Sequence, residues 1–205
     1  GSYTKTHCAI LTALRSSNAK DGYRSAAFDQ FLANIPEIRD RVEAQYAGLV
    51  YPTTGFMAGN PLGGQPYSPE TGAVSETSSD VLIPAFVAAY TKTNARRQTL
   101  DPFPGFSSVL PNWRINYDGL INLGNMRNIF KSFSLTHAYQ CTYSVGSFNS
   151  YLNWVSADGK ANLGFTLDEL SGQPIPSSPF NISSVAITER FAPLIGVNAT
   201  LKNDL

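Results

Sequence analysis

Hydrophobic positions along this chain change their period partway through. From Ser25 to Tyr46 they fall at Phe28, Phe31, Leu32, Ile35, Ile38, Val42 and Tyr46, each three or four from a neighbour on the same face, with Phe31 and Leu32 side by side. That spacing makes one face of a helix, with Asp29, Arg39, Asp40, Arg41 and Glu43 left for the other. Pro36 is expected to split it into two segments, because proline removes an interior hydrogen bond yet suits a first turn. Glu37 and Arg41 are spaced as an i, i+4 ion pair. A second helix is predicted near Asp80–Tyr90, capped by Ser79 or Asp80, with Pro84 in an early turn and Ala85, Ala88 and Ala89 favouring helix. Between the two, Tyr51–Gly72 holds nine glycines and prolines in 22 residues and reads as a loop. Loops of that length are usually functional or disordered.

From Leu110 the period becomes two. Trp113, Ile115 and Tyr117 alternate with Arg114, Asn116 and Asp118, which makes a strand with one wet face. Phe133, Leu135, His137, Tyr139, Cys141, Tyr143 and Val145 then alternate with small polar residues. Gly146 is expected to break or bend this strand. Phe148, Leu152 and Trp154 continue an apolar face on even positions, and an Asp-Gly turn at Ala157–Lys160 is expected to end it. Pro174, Pro176 and Pro179 suggest an extended linker. Arg190–Leu205 reads as a final strand with Phe191, Ile195, Val197, Ala199 and Leu201 on one face. The expected fold is therefore mainly β, with antiparallel strands and short α-helices in the N-terminal half.

Composition sharpens one question. Fifteen basic residues balance fifteen acidic ones, so no net field attracts nucleic acid. Charged residues make up only 15% of the chain, against about a quarter in ordinary soluble proteins, and residues 132–156 contain none at all. A soluble sandwich also alternates, but its outer face normally carries Lys, Glu and Arg. A membrane barrel shows lipid an apolar face studded with aromatics and can line its lumen with small polar groups. On that reading Phe133, Leu135, Tyr139, Tyr143 and Trp154 face outer-membrane lipid; on the other, the same face is the buried side of a soluble sheet. Residues 110–205 hold about four or five strands, and membrane barrels need at least about eight, so a lipid-facing sheet has to belong to a larger wall. The stop at Leu205 without a turn agrees with that. The most apolar stretch, Val81–Tyr90, is too short to span as a helix. No signal-peptide pattern opens the chain, and Gly1-Ser2 reads as a cloning scar. Cys8 and Cys141 leave open one long-range bridge or two buried thiols.

Site chemistry is sparse. His7 and His137 are the only histidines, and no HExxH, CxxC, EF-hand, GxSxG or phosphate-loop spacing occurs. Asp168-Glu169 are adjacent and point apart on a strand. Asn181-Ile182-Ser183 and Asn198-Ala199-Thr200 match a sequon that chance produces often. Arg96-Arg97 near Lys92 read as a solvated loop. No catalytic residue, cofactor or metal site is expected, and the chain does not read as an enzyme.

The phrases SSDVLIPAFVAAY (Ser78–Tyr90), LDPFP (Leu100–Pro104), LPNWRINYDGL (Leu110–Leu120), FKSFSLTHAYQCTYSVGSFNSYLNW (Phe130–Trp154) and ITERFAPLIGVNATLKNDL (Ile187–Leu205) resemble the SprA/Sov family. These are the giant outer-membrane translocons of the type 9 secretion system in Bacteroidota, linked in some members to gliding motility. The resemblance implies a very large single-chain transmembrane β-barrel that passes folded cargo to the cell surface, with a PorV-like shuttle protein and a plug protein as partners. The expected layout is a scar at 1–2, a helical insert at 3–50, a Pro/Gly-rich loop at 51–77, a short helix and linker at 78–109, and barrel-wall strands at 110–205. The rival expectation is a soluble secreted or periplasmic β-rich module that binds peptide or glycan.

Overall fold

A computed structural model describes residues 3–5, 25–103, 112–157 and 159–202. Gly1-Ser2, His7, Cys8, the Pro104–Phe106 end of one breaker cluster, Asp158 of the expected turn and the last three residues lie outside the described residues. The chain is mixed α and β: β1 (Tyr3–Lys5), α1 (Ala26–Tyr46), α2 (Ser79–Thr91), β2 (Trp113–Tyr117), α3 (Met126–Ile129), β3 (Phe130–Ser150), β4 (Val155–Ser156), β5 (Gly164–Leu167), β6 (Pro174–Ser177), β7 (Phe180–Phe191) and β8 (Gly196–Leu201). Of the expected class, the antiparallel strands and the helices are present, in a chain that is mixed α and β. Among the described residues neither sheet closes into a barrel.

Two compact units divide the chain. The first takes residues 25–103 and 145–185 and is built on α1 and α2. Ser25 caps α1, its Oγ accepting from the Phe28 N–H at 3.3 Å. Ala27, Asn34, Ile38, Val42 and Tyr46 form the buried stripe. The helix runs unbroken through Pro36, contrary to the expected split. Pro36 and Leu32 both lie on the exposed side, where the carbonyl deprived of its donor meets water. Pro84 also sits inside its helix, past the first turn. The expected Glu37–Arg41 pair does not form. Arg41 instead donates to the carbonyls of Ala95 and Gln98 at 2.5 and 2.8 Å, and Glu37 meets Arg96 at 3.2 Å. The buried Asn34 is satisfied by Gln30 and the Ala85 carbonyl.

The Pro/Gly segment is an ordered loop. Tyr51 and Gly64 exchange backbone bonds with this hairpin-like turn, Tyr51 N–H to Gln65 O and Gly64 N–H to Tyr51 O, both at 2.9 Å. Tyr51, Met57 and Val74 enter the core beside Ile38, Val42, Val81 and Phe165. The rings of Tyr46, Tyr51 and Tyr67 surround Phe165 at centroid distances of 5.6, 4.8 and 5.7 Å. The Glu43 carboxylate ties helix to loop, accepting from the Tyr67 hydroxyl and from the Val74 N–H at 2.8 Å. Burial pushes the Tyr46 phenol above its usual range; burial, then the bond to Glu43, does the same to Tyr67. Asp80 accepts from the Ser178 N–H at 2.8 Å, and burial raises its carboxyl despite that bond.

Phe165 belongs to β5, so the segment 145–185, expected in the barrel wall, packs with the helices instead. Its three-stranded antiparallel sheet runs β4-β5-β6. Two of the three prolines expected to form a linker make the edge strand β6, paired Leu167↔Pro174 and Phe165↔Pro176, and Pro179 lies between β6 and β7. Asp168 N–H donates to Gln173 O at 2.9 Å. The alternation of an antiparallel ladder therefore turns the backbones of Pro174 and Pro176 away from β5, where no ladder donor is needed, and both prolines are buried, Pro174 beside Gly72. Trp154 lies outside any strand and donates from Nε1 to the Ser177 carbonyl at 2.8 Å.

The second unit takes residues 112–144 and 186–202. Its spine is β3, which also pairs with β1 and β7. The strand is unbroken to Ser150; at Gly146 a Cβ would sit 2.5 Å from Ser184 Oγ, so glycine permits close approach rather than a break. On one edge β2 pairs with β3, Trp113↔Tyr139 through Tyr117↔Leu135. On the other edge β8 pairs Thr136↔Gly196 through Phe130↔Leu201, with an irregularity between Phe130 and Ser132. The single final strand expected over 190–205 is interrupted after Phe191 by a turn containing the cis Ala192-Pro193 bond.

Candidate functional site

Antiparallel partners share a sheet face, so the two ladders sort every side chain of β2, β3 and β8 onto one of two faces. One carries Ile115, Tyr117, Phe133, Leu135, His137, Val197 and Ala199. The other carries Arg114, Asn116, Ser134, Thr136, Ala138, Asn198 and Thr200. The first face is apolar and open: Ile115 is 54%, Tyr117 51% and Val197 57% exposed. Phe133 and Leu135 lie half-buried among them. Leu123, Ile129, Leu194, Ile195 and Leu201 of the same unit are also exposed. Scattered apolar side chains on a surface are ordinary, but here three adjacent strands present the same open apolar face.

Toward the middle of β3 the character of that face changes. Tyr139 is only 2% exposed and stacks on Trp113 at 4.4 Å, with Phe191 at 5.1 Å. Its hydroxyl donates to a Glu189 carboxylate oxygen at 2.6 Å. His137 Nδ1 lies 2.6 Å from the Leu194 carbonyl, which accepts the ring N–H. Cys141 is fully buried and disulfide-bonded, and its backbone N–H donates to Asn112 Oδ1 at 2.8 Å. Trp113, Ile187 and Phe191 pack around Tyr139 and Cys141. The face therefore grades from protein-covered aromatics with satisfied polar tips to open aliphatic side chains.

The five side chains singled out in the sequence do not share one surface. Phe133 and Leu135 sit on the open part. Tyr139 and Tyr143 are buried by protein, at 2% and 5% exposure. Trp154 belongs to the other unit and is anchored on Ser177. Alternation marks which face a residue occupies, but not how far along a strand the covering residues extend. The open residues that the sequence reading had not singled out, Ile115, Tyr117 and Val197, carried a usable signal: each flanking segment has the same alternation as β3.

Among the described residues no group of three or more His, Cys, Asp or Glu side chains is placed to hold a metal. No helix among the described residues is long and apolar enough to cross a membrane. No protein-family model matches the chain, and no curated protein matches it.

Proposed function

We propose that this chain is a piece of an outer-membrane β-barrel wall, a segment of a protein-conducting translocon of the type 9 secretion kind. In this reading the β2–β3–β8 face bearing Ile115, Tyr117, Phe133, Leu135 and Val197 meets lipid, and the small polar face lines the conduit. The observation that carries it is that sheet, open and apolar on one side and small and polar on the other. The SprA/Sov-like phrases supply the identity of the barrel; with them come folded cargo, a PorV-like shuttle and a plug as partners, and gliding motility as a linked process. The disulfide-bonded Cys141 suits a chain that folds outside the cytoplasm.

Paired substitutions on neighbouring residues of opposite faces test the proposal. Leu135→Arg is expected to cost about 2–4 kcal/mol of folded stability in phosphatidylcholine vesicles if the position lies near the midplane, and Thr136→Arg about 0–1 kcal/mol. Equal costs for the two, or a protein that stays wholly in the aqueous fraction of separated cell envelopes, would refute it. The second outcome would favour the soluble β-rich binding module, for which the self-contained aromatic core around Phe165 already speaks.

A further inference from the structure

We propose that the polar face of the sheet built on β3 is a docking cradle for an extended acidic peptide, held by Arg114 and Arg190. Arg114 lies opposite Ala138 in the β2–β3 ladder. On the other edge of β3, Ala192 N–H donates to the Ala138 carbonyl and Ala138 N–H to the Pro193 carbonyl, both at 3.1 Å. Ala192 and Pro193 thus oppose Ala138 together, as in a β-bulge, and Arg190, two residues before Ala192 in β7, shares its face and lines the same concavity. The two arginines flank β3 from its two edges, and between them β3 offers only the methyl of Ala138 and the amide of Gln140. That small floor leaves a concavity of about 520 Å3, lined by both arginines with Asn112, Ala138, Gln140 and Ala192.

Both guanidinium groups are exposed. Among the described residues neither makes an ion pair or a side-chain hydrogen bond, whereas Arg39, Arg41, Arg96 and Arg127 all do. Two like charges on one concave face, with no acid among the described residues paired to them, call for an anionic occupant. Spacing selects its kind. Two strand separations of about 4.8 Å and an offset of two residues place the Arg Cα atoms roughly 12 Å apart. Residues i and i+4 of an extended peptide are about 13 Å apart on the same side, so carboxylates at that spacing each meet one planar fork. A lone inorganic anion engages one guanidinium and leaves the other idle. The inference concerns the face away from the apolar surface and holds whatever covers that surface.

The test is fluorescence anisotropy with a labelled Ser/Thr peptide carrying glutamates at i and i+4, against its glutamine counterpart, in neutral detergent at low salt. The acidic peptide is expected to bind at least tenfold tighter than the neutral one. Arg114→Gln and Arg190→Gln should each weaken it about fivefold, corresponding to about 1 kcal/mol per exposed charge pair. The double variant should lose more than tenfold, and Arg127→Gln, whose guanidinium is held by Asn122 at 3.0 Å, should change nothing. Arg→Lys at both positions keeps the charge and serves as a folding control, with a loss of about twofold expected. Binding that is indifferent to peptide charge, undiminished in the double glutamine variant, or abolished by inorganic phosphate as readily as by free acidic peptide would overturn the proposal.

Discussion

Phe165→Ala is the most demanding substitution for the first unit. The ring is fully buried and sits among Tyr46, Tyr51 and Tyr67, at centroid distances of 4.8 to 5.7 Å. Truncating a buried phenylalanine costs about 3–5 kcal/mol through lost transfer energy and the cavity left behind. That range already includes lost ring contacts, each worth about 0.5–1.5 kcal/mol beyond buried area, and three of them lost together place this site at its upper end. The three tyrosines come from α1, the start of the ordered loop and its return, so little can collapse into the hole. The expected loss is therefore about 4–5 kcal/mol. Phe165→Leu, which refills most of the volume but has no ring, should lose about 1–2 kcal/mol. Urea unfolding, followed at 222 nm and by tyrosine fluorescence, measures both. Because Phe165 is on β5 while the 222 nm signal comes from α1 and α2, the two probes should shift together. A loss under about 1.5 kcal/mol for the alanine variant, or a helix signal that melts at an unchanged urea concentration, would refute the packing argument.

Two other outcomes follow from the same unit. The folded phenols of Tyr46 and Tyr67 are raised above the unfolded value near 10. Their contribution to stability is therefore complete below pH 10 and is lost as pH rises beyond it, since the unfolded chain releases those protons first. Denaturant midpoints between pH 8.5 and 11.5, read beside tyrosinate absorbance, should fall across that window; a flat profile would contradict the burial. Gly55 has φ +61° and an added Cβ would collide with Val155 Cγ2, so Gly55→Ala should cost about 1–3 kcal/mol. Adding Val155→Ala should recover only the steric part, and a double variant no better than the single would show that the backbone alone is responsible.

Much of the second unit was legible because β2 and β3 each alternate apolar with polar residues, and a period of two then sorts the side chains onto two faces. The pairing of Trp113 with Tyr139 needed the structure, since register is a long-range property. Pro36 misled because the effect of a helix proline depends on whether the freed carbonyl reaches solvent, which a sequence does not show. Pro174 and Pro176 misled in the opposite sense: they rule out a central strand and permit an edge one. Trp154 continued an apolar alternation in the sequence, but the chain turns after Ser150, so periodicity carried the reading past the end of its strand. Arg114 and Arg190 are 76 positions apart, and only the shared partner Ala138 brings them to one face.

The prolines of β6 have a consequence for how copies of this chain meet. A bare sheet edge is an invitation to copy: an incoming strand reads its alternating donors and acceptors and lies down beside it. Here the edge is closed twice over. Pro174 and Pro176 have no donors to offer, and both are buried, with the Pro174 carbonyl so close to Gly72 that a Cβ there would sit 2.5 Å from it. The small sheet offers a second chain neither a script nor a way in, and its growth stops at a boundary written into two residues.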